Sequence, residues 1–180
     1  MIPVLALCDT TYTAAHSSGV RPVTDIKWVV LHSTEGGTAR SVAAYFTLPT
    51  SGGSAHLVVD DDACFRCLRN IDIPWGAPGA NQKGFHIEQC GFARWSSAEW
   101  KRHDMTLRRA AYKTALHANA FGIPLRWLTE AALRKGMKGV TTHAECSKAF
   151  GGDHTDPGAG YPKTLFMTYA KGYLAEIQAV

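Results

Sequence analysis

The chain has 180 residues, of which 46% are hydrophobic and 19% charged, with a formal net charge of +4. A chain of this size buries a substantial core in one domain without disulfides or a structural metal, which excludes a stapled miniprotein and a disordered tail. The charge excess is too mild to select an anionic partner, and the odd set Cys8, Cys64, Cys67, Cys90 and Cys146 makes no even disulfide framework, so reduced thiols are expected.

Taken in chain order, residues 1–8 are apolar but lack a basic leader and are too short for a secretion core, and no run approaches a membrane span. Residues 9–20 are mostly polar and read either as an ordered arm or as a frayed tail. We therefore set an N-terminal arm of 1–22 apart from a core of 23–180, within one domain. Residues 26–31 predict a central strand, 38–46 a helix, and 55–60 with 64–68 a hairpin across Asp60-Asp61-Asp62-Ala63. Residues 85–90 predict another strand. One long helix is expected over 97–120, capped by Ser96 or Ser97, with Glu99 near its positive end and Gly122-Ile123-Pro124 ending it. Its Trp100, Leu107, Ala111 and Ala115 are expected to lie against the sheet. Thr129 is expected to cap a shorter helix through Lys135, residues 139–142 form a strand, and Pro162 opens a terminal helix ending near Gln178. With no internal repeat, this is an α/β fold, a mixed central sheet flanked by helices.

Two of the eight histidines close apolar runs, His32 after Trp28-Val29-Val30-Leu31 and His143 after Gly139-Val140-Thr141-Thr142. A buried strand end is where a rigid fold can aim a ligand at a metal. Asp156 follows on a proline-stiffened loop, Asp153-His154-Thr155-Asp156-Pro157-Gly158. Singly, each is more often a structural histidine or a turn residue; together they suggest a zinc site whose three protein ligands leave a fourth position for water. In an extended segment residues i and i+2 point the same way, so His154 is expected to face the metal beside Asp156. Cys64 and Cys67 have zinc-knuckle spacing, but on a strand they face opposite sides, which argues against a metal role.

The ordered series Val30-Leu31-His32-Ser33-Thr34, Ser54-Ala55-His56-Leu57-Val58-Val59-Asp60, Phe85-His86-Ile87-Glu88, residues 139–143 and Thr155-Asp156-Pro157-Gly158 resembles the zinc-dependent N-acetylmuramoyl-L-alanine amidases of type 2. Their fold is shared with peptidoglycan recognition proteins and many phage endolysins, and the resemblance runs from about Ile26 to Phe166. It implies that His32, His143 and Asp156 are the metal ligands, Asp156 being a better match than Cys146. It also implies that Glu88 is the general base, since Ala55 stands where some phage members carry a tyrosine base. His154 falls where phage relatives often have lysine; its imidazole is expected to donate to an oxyanion or to compete as a ligand. Asn81 and His56 are read as substrate-binding. Many members read Trp-His-Ala-Gly where this chain has Trp75-Gly76-Ala77-Pro78-Gly79, so the contribution of that histidine is absent or supplied elsewhere. Trp28, Trp95, Trp100 and Trp127 are core residues or sugar-stacking ones.

The function the resemblance implies is zinc-dependent cleavage of the bond between N-acetylmuramic acid and L-alanine in peptidoglycan. The enzyme is expected to be a monomeric phage endolysin, resident in the host cytoplasm until lysis, with no nucleic-acid partner and no membrane insertion. The alternatives are a non-catalytic peptidoglycan-recognition module, which needs a broken metal site, and a basic nuclease domain, for which the Lys and Arg residues form no aromatic-interleaved stripe.

Overall fold

The structure, a computed structural model, describes Cys8 and residues 10–179; the reading of residues 1–7 as lacking a leader falls outside the described residues. Its centre is a six-stranded sheet of β1 (Thr10–Thr11), β2 (Trp28–Ser33), β3 (Leu57–Val59), β4 (Cys64–Arg66), β5 (Gly84–Gln89) and β6 (Gly139–Thr142), in the order β1-β4-β3-β5-β2-β6. Among the described strand pairs only the β3–β4 hairpin is antiparallel. The helices are α1 (Ala39–Phe46), α2 (Ser97–Arg102), α3 (Asp104–Phe121), α4 (Glu130–Arg134), α5 (His143–Phe150) and α6 (Lys163–Gln178). This is the expected mixed sheet flanked by helices, and among the described residues no helix is long and apolar enough to cross a membrane.

β2 is buried along its whole length. Hydrogen-bonded to β5 on one side and β6 on the other, it needs apolar side chains on both faces, which its Trp-Val-Val-Leu run supplies. Because side chains alternate, Val29 and Leu31 join Phe85, Ile87 and Val140 under α3 and α6, where Trp100, Leu107, Ala111 and Ala115 pack as expected. Trp28 and Val30 face the opposite way and pack with Leu133 of α4 and Cys146 and Ala149 of α5. On that second face α1 covers Val58 and Phe65 in a separate cluster. The stretch between the two clusters belongs to His32 and Glu88, which are register partners across β2 and β5.

The long helix expected over 97–120 is interrupted at His103, whose backbone (φ −100°, ψ 50°) separates α2 from α3. The cause comes from a distant part of the chain. Asp61, in the β3–β4 turn, accepts from His103 Nδ1 at 2.7 Å, from the Thr106 backbone N–H at 2.9 Å and from the Thr106 hydroxyl at 2.8 Å. One carboxylate thus caps α3 and holds the break open. The Ser96 cap of α2 is present, as a capping box with Glu99. Thr129 precedes α4 without a side-chain cap; Glu145 of α5 instead accepts from the Glu130 N–H at 2.7 Å.

Of the two readings of the arm, the described residues support an ordered one. Thr10–Thr11 pair with β4, Ala14 and Ser18 donate to Cys67 and Ile73 carbonyls, and the buried Arg21 guanidinium donates to the Asp72 and Gly84 carbonyls. Cys64 and Cys67 fall in separate clusters on opposite faces of the sheet.

Replacing Asp61 with Ala removes the carboxylate from the α3 N-terminus and from His103. Urea denaturation is expected to show a loss of roughly 1–2 kcal/mol, the scale of one lost cap; an unchanged midpoint would contradict the capping role.

Candidate metal centre

Three side chains from separate elements converge at the carboxyl end of β2. His32 is the penultimate residue of that strand. His143 does not end β6 as expected; it is the first residue of α5, whose cap is Thr142, accepting from the Glu145 N–H. Asp156 is carried by the loop before α6, and its carbonyl accepts from the Ala144 N–H at 2.9 Å, so one of the unpaired amides at the start of α5 anchors it. The far side of the loop is wedged in place: a Cβ on Gly158 (φ +93°) or on Gly160 would collide with the Ala93 and Trp95 carbonyl oxygens.

His32 Nδ1 lies 3.2 Å from one Asp156 oxygen and His143 Nδ1 3.1 Å from the other. One donor atom from each of the three residues lies within 4.8 Å of the others, and all three residues are buried. The set fits a metal on the chemistry of its donors: two imidazole nitrogens and a carboxylate, whose shared protons a divalent ion would displace. Cys146, one helical turn beyond His143, packs among Trp28, Val30 and Leu133, and burial pushes its thiol up to about 12. That makes it a core residue.

Glu88 projects from β5 beside His32, Oε1 to Nδ1 4.0 Å, with Oε2 buried and lacking a hydrogen-bond partner. Its pKa is pushed up to about 8, first by burial and then by the Asp156 charge. Asp156 behaves oppositely. Burial alone would raise it, but hydrogen bonds from His143 and His32 outweigh burial and hold it well below the usual carboxylate range. His154 stands where extended geometry predicts, beside Asp156, its Nδ1 3.6 Å from Oδ1. Its ring stacks on His143 at 4.0 Å while the side chain stays 58% exposed.

These residues line a cleft of about 850 Å³ together with Glu35, Tyr45, Trp75 and Asn81. Asn81 lines the cleft, but its carbonyl oxygen accepts from the Gly76 and Ala77 N–H groups, which leaves its amide nitrogen for any ligand. His56 is a correction. It is fully buried; Nδ1 accepts from the His86 N–H at 3.0 Å, so Nε2 carries the proton and donates to the Asp72 carbonyl at 3.1 Å. With both nitrogens committed to backbone it offers nothing to a substrate and instead pins β5. Trp28 and Trp100 are core, and Trp95 and Trp127 are partly buried against it. The exposed tryptophan at the cleft is Trp75, stacked on His16 of the arm at 4.4 Å. Its turn-rich surroundings made it legible only as a loop residue.

The raised Glu88 pKa has a sign that can be checked in metal-free protein. Below about pH 4.5 both folded and unfolded states hold the proton and Glu88 contributes nothing; as pH rises toward about 8 only the unfolded state releases it, so folding loses stability. Glu88→Gln removes that loss. The variant is expected to be more stable than the parent at pH 9 by a few kcal/mol, on the scale of about 1.4 kcal/mol per pH unit between the two pKa values, with the gap closing below pH 4.5. Equal denaturation midpoints at pH 9 would contradict this.

No curated protein sequence matches the chain. Among solved structures, the Staphylococcus aureus hydrolase AmiA in complex with its ligand aligns with TM-score 0.74 and 20% identity over 97% of this chain and 86% of that one. A selenomethionine derivative of AmpD aligns with TM-score 0.62 and 17% identity over 91% and 98% of the two chains. A mutant endolysin from Bacillus subtilis aligns with TM-score 0.55 and 18% identity over 95% and 99%. At these identities the likeness establishes the fold. A family profile described as N-acetylmuramoyl-L-alanine amidase matches residues 22–159, a span that holds all three donor residues, Glu88 and His154. The chain belongs to the type 2 N-acetylmuramoyl-L-alanine amidase family.

Proposed function

We propose that this protein is a zinc-dependent hydrolase of the amide bond between the muramic acid lactyl group and L-alanine of peptidoglycan, acting as a phage endolysin. The observation that carries the chemistry is the convergence of His32 Nδ1 and His143 Nδ1 on the Asp156 carboxylate, with Glu88 beside them, at the wall of an open cleft. Family membership supports the choice of bond, and the likeness to an endolysin supports the role in lysis.

His32, His143 and Asp156 would hold a zinc ion, which would supply Lewis-acid polarisation of the scissile carbonyl and acidify the attacking water. Glu88 takes the proton of that water and passes it to the leaving amine. A carboxylate whose proton affinity is raised by burial suits a group that must accept and release a proton near neutral pH. His154, exposed at the cleft and steadied by stacking on His143, donates to the oxyanion that forms on the carbonyl oxygen. Asn81 and the exposed ring of Trp75, which line the same cleft, contact the substrate. Every group used comes from one chain, in keeping with action as a monomer that reaches the wall from the host cytoplasm at lysis. A non-catalytic recognition module would need none of Glu88, His154 or an intact donor set.

His32→Ala and His143→Ala are expected to lose zinc, by elemental analysis, together with turnover of purified sacculi; full zinc content in both would contradict the ligand assignment. Glu88→Gln is expected to keep zinc while turnover falls by about 10²-fold or more. His154→Ala is expected to keep zinc and lower kcat by about 10²-fold, with His154→Lys recovering part of it. Loss of zinc in His154→Ala would make it a ligand, and an unchanged rate would remove it from the mechanism.

A further inference from the structure

An imidazole stands over position 76 although residue 76 is glycine. A Cβ built on Gly76 would lie 2.5 Å from His86 Nδ1 and 3.2 Å from its Cε1, and a Cβ on Gly84 would meet the other side of the same ring at Nε2. The ring is fully buried and within 24° of parallel to that of His32, 5.0 Å between centroids, and its Nδ1 lies 3.0 Å from His32 Nε2. His86 comes from β5, two residues before Glu88 and on the same face of the sheet. Its backbone is fixed at both polar groups, the N–H donating to His56 Nδ1 and the carbonyl accepting from the His56 N–H.

We propose that His86 is the positioning residue of the metal centre: it orients His32 through Nε2, and Gly76 and Gly84 are glycines because any side chain there would expel its ring. This rests on reading His32 as a metal ligand. His32 presents Nδ1 to Asp156, so a bound metal takes that nitrogen and the ring proton must sit on Nε2. His86 Nδ1 is the group placed to accept it. The acceptor fixes both the tautomer and the ring plane of His32, the two properties a ligating imidazole draws from its partner. His86 then carries its own proton on Nε2, which has no hydrogen-bond partner and sits against Gly84. The buried His56–His86–His32 series therefore gives the core a direct hold on the metal.

Zinc affinity, measured by chelator competition with far-UV circular dichroism as a check of folding, tests this. His86→Ala is expected to weaken zinc binding about 10–100-fold, and His86→Asn, whose carbonyl oxygen can stand in for Nδ1, to stay within a few-fold of the parent. Gly76→Ala keeps every polar group but drives a methyl into the ring, and is expected to weaken binding in the same direction. It also serves as the decisive variant should His86→Ala not fold. In zinc-loaded protein the His32 Nε2–H should give a slowly exchanging imidazole signal by NMR. Parental zinc affinity in the folded Gly76→Ala or His86→Ala protein overturns the inference alone; a parent protein that binds no zinc overturns the metal reading and the inference with it.

Discussion

The parallel pairing of β2 with β5 sets everything that follows. Its register puts His32 beside Glu88 and Val30 beside His86, and one further strand places Val58 beside Glu88. A slip of β2 by one residue against β5 would turn His32 into the apolar face under α3 and α6 and put Leu31 or Ser33 beside Glu88 in its place. That slip is prevented by burial. Val29, Leu31, Phe85 and Ile87 are all fully buried on the α3 and α6 side, and each is worth about 1.5–3 kcal/mol relative to exposure. The core therefore aims the chemistry, and the polar residues only inherit the position it gives them.

On that platform two carboxylates are driven to opposite protonation behaviour within one cleft. Asp156 sits between two imidazoles with its main chain anchored at the start of α5, and remains charged. Glu88 receives no hydrogen bond at Oε2 and lies close to that charge, so it binds a proton more tightly than an ordinary carboxylate. Groups of one chemical type whose environments separate their proton affinities divide naturally into ligand and base. The separation arises from the partners each carboxylate meets: two imidazoles bond to Asp156, whereas Glu88 Oε2 is buried with no hydrogen-bond partner.

Much of this was legible in the sequence, and the exceptions share a cause. The strands, the hairpin, the terminal helix and the two histidines with Asp156 follow from local alternation, turn chemistry and the order of the motifs. The break at His103 does not, because Ser97 to Phe121 has good helical periodicity and the capping Asp61 arrives from a turn some forty residues earlier in the chain. His56 looked like a site residue because it sits in a motif of the site, yet the pairing of its segment beside β5 turns both its nitrogens to backbone. His86 drew no attention, since a histidine in an apolar strand is most simply a core residue; only the missing side chain of Gly76, seen in three dimensions, gives it a purpose. In each case the deciding contact is long-range; the glycine at position 76 was visible in the sequence, but not the ring that lies over it.

Mass spectrometry of the fragments released from purified sacculi, with zinc-loaded protein and with protein stripped by a chelator, tests the central claim most directly. The account predicts free stem peptides beginning at L-alanine and intact glycan strands from the loaded protein, and none from the stripped protein until zinc is restored. Cleavage at a glycosidic or peptide cross-link bond, or release undiminished by stripping, would contradict it.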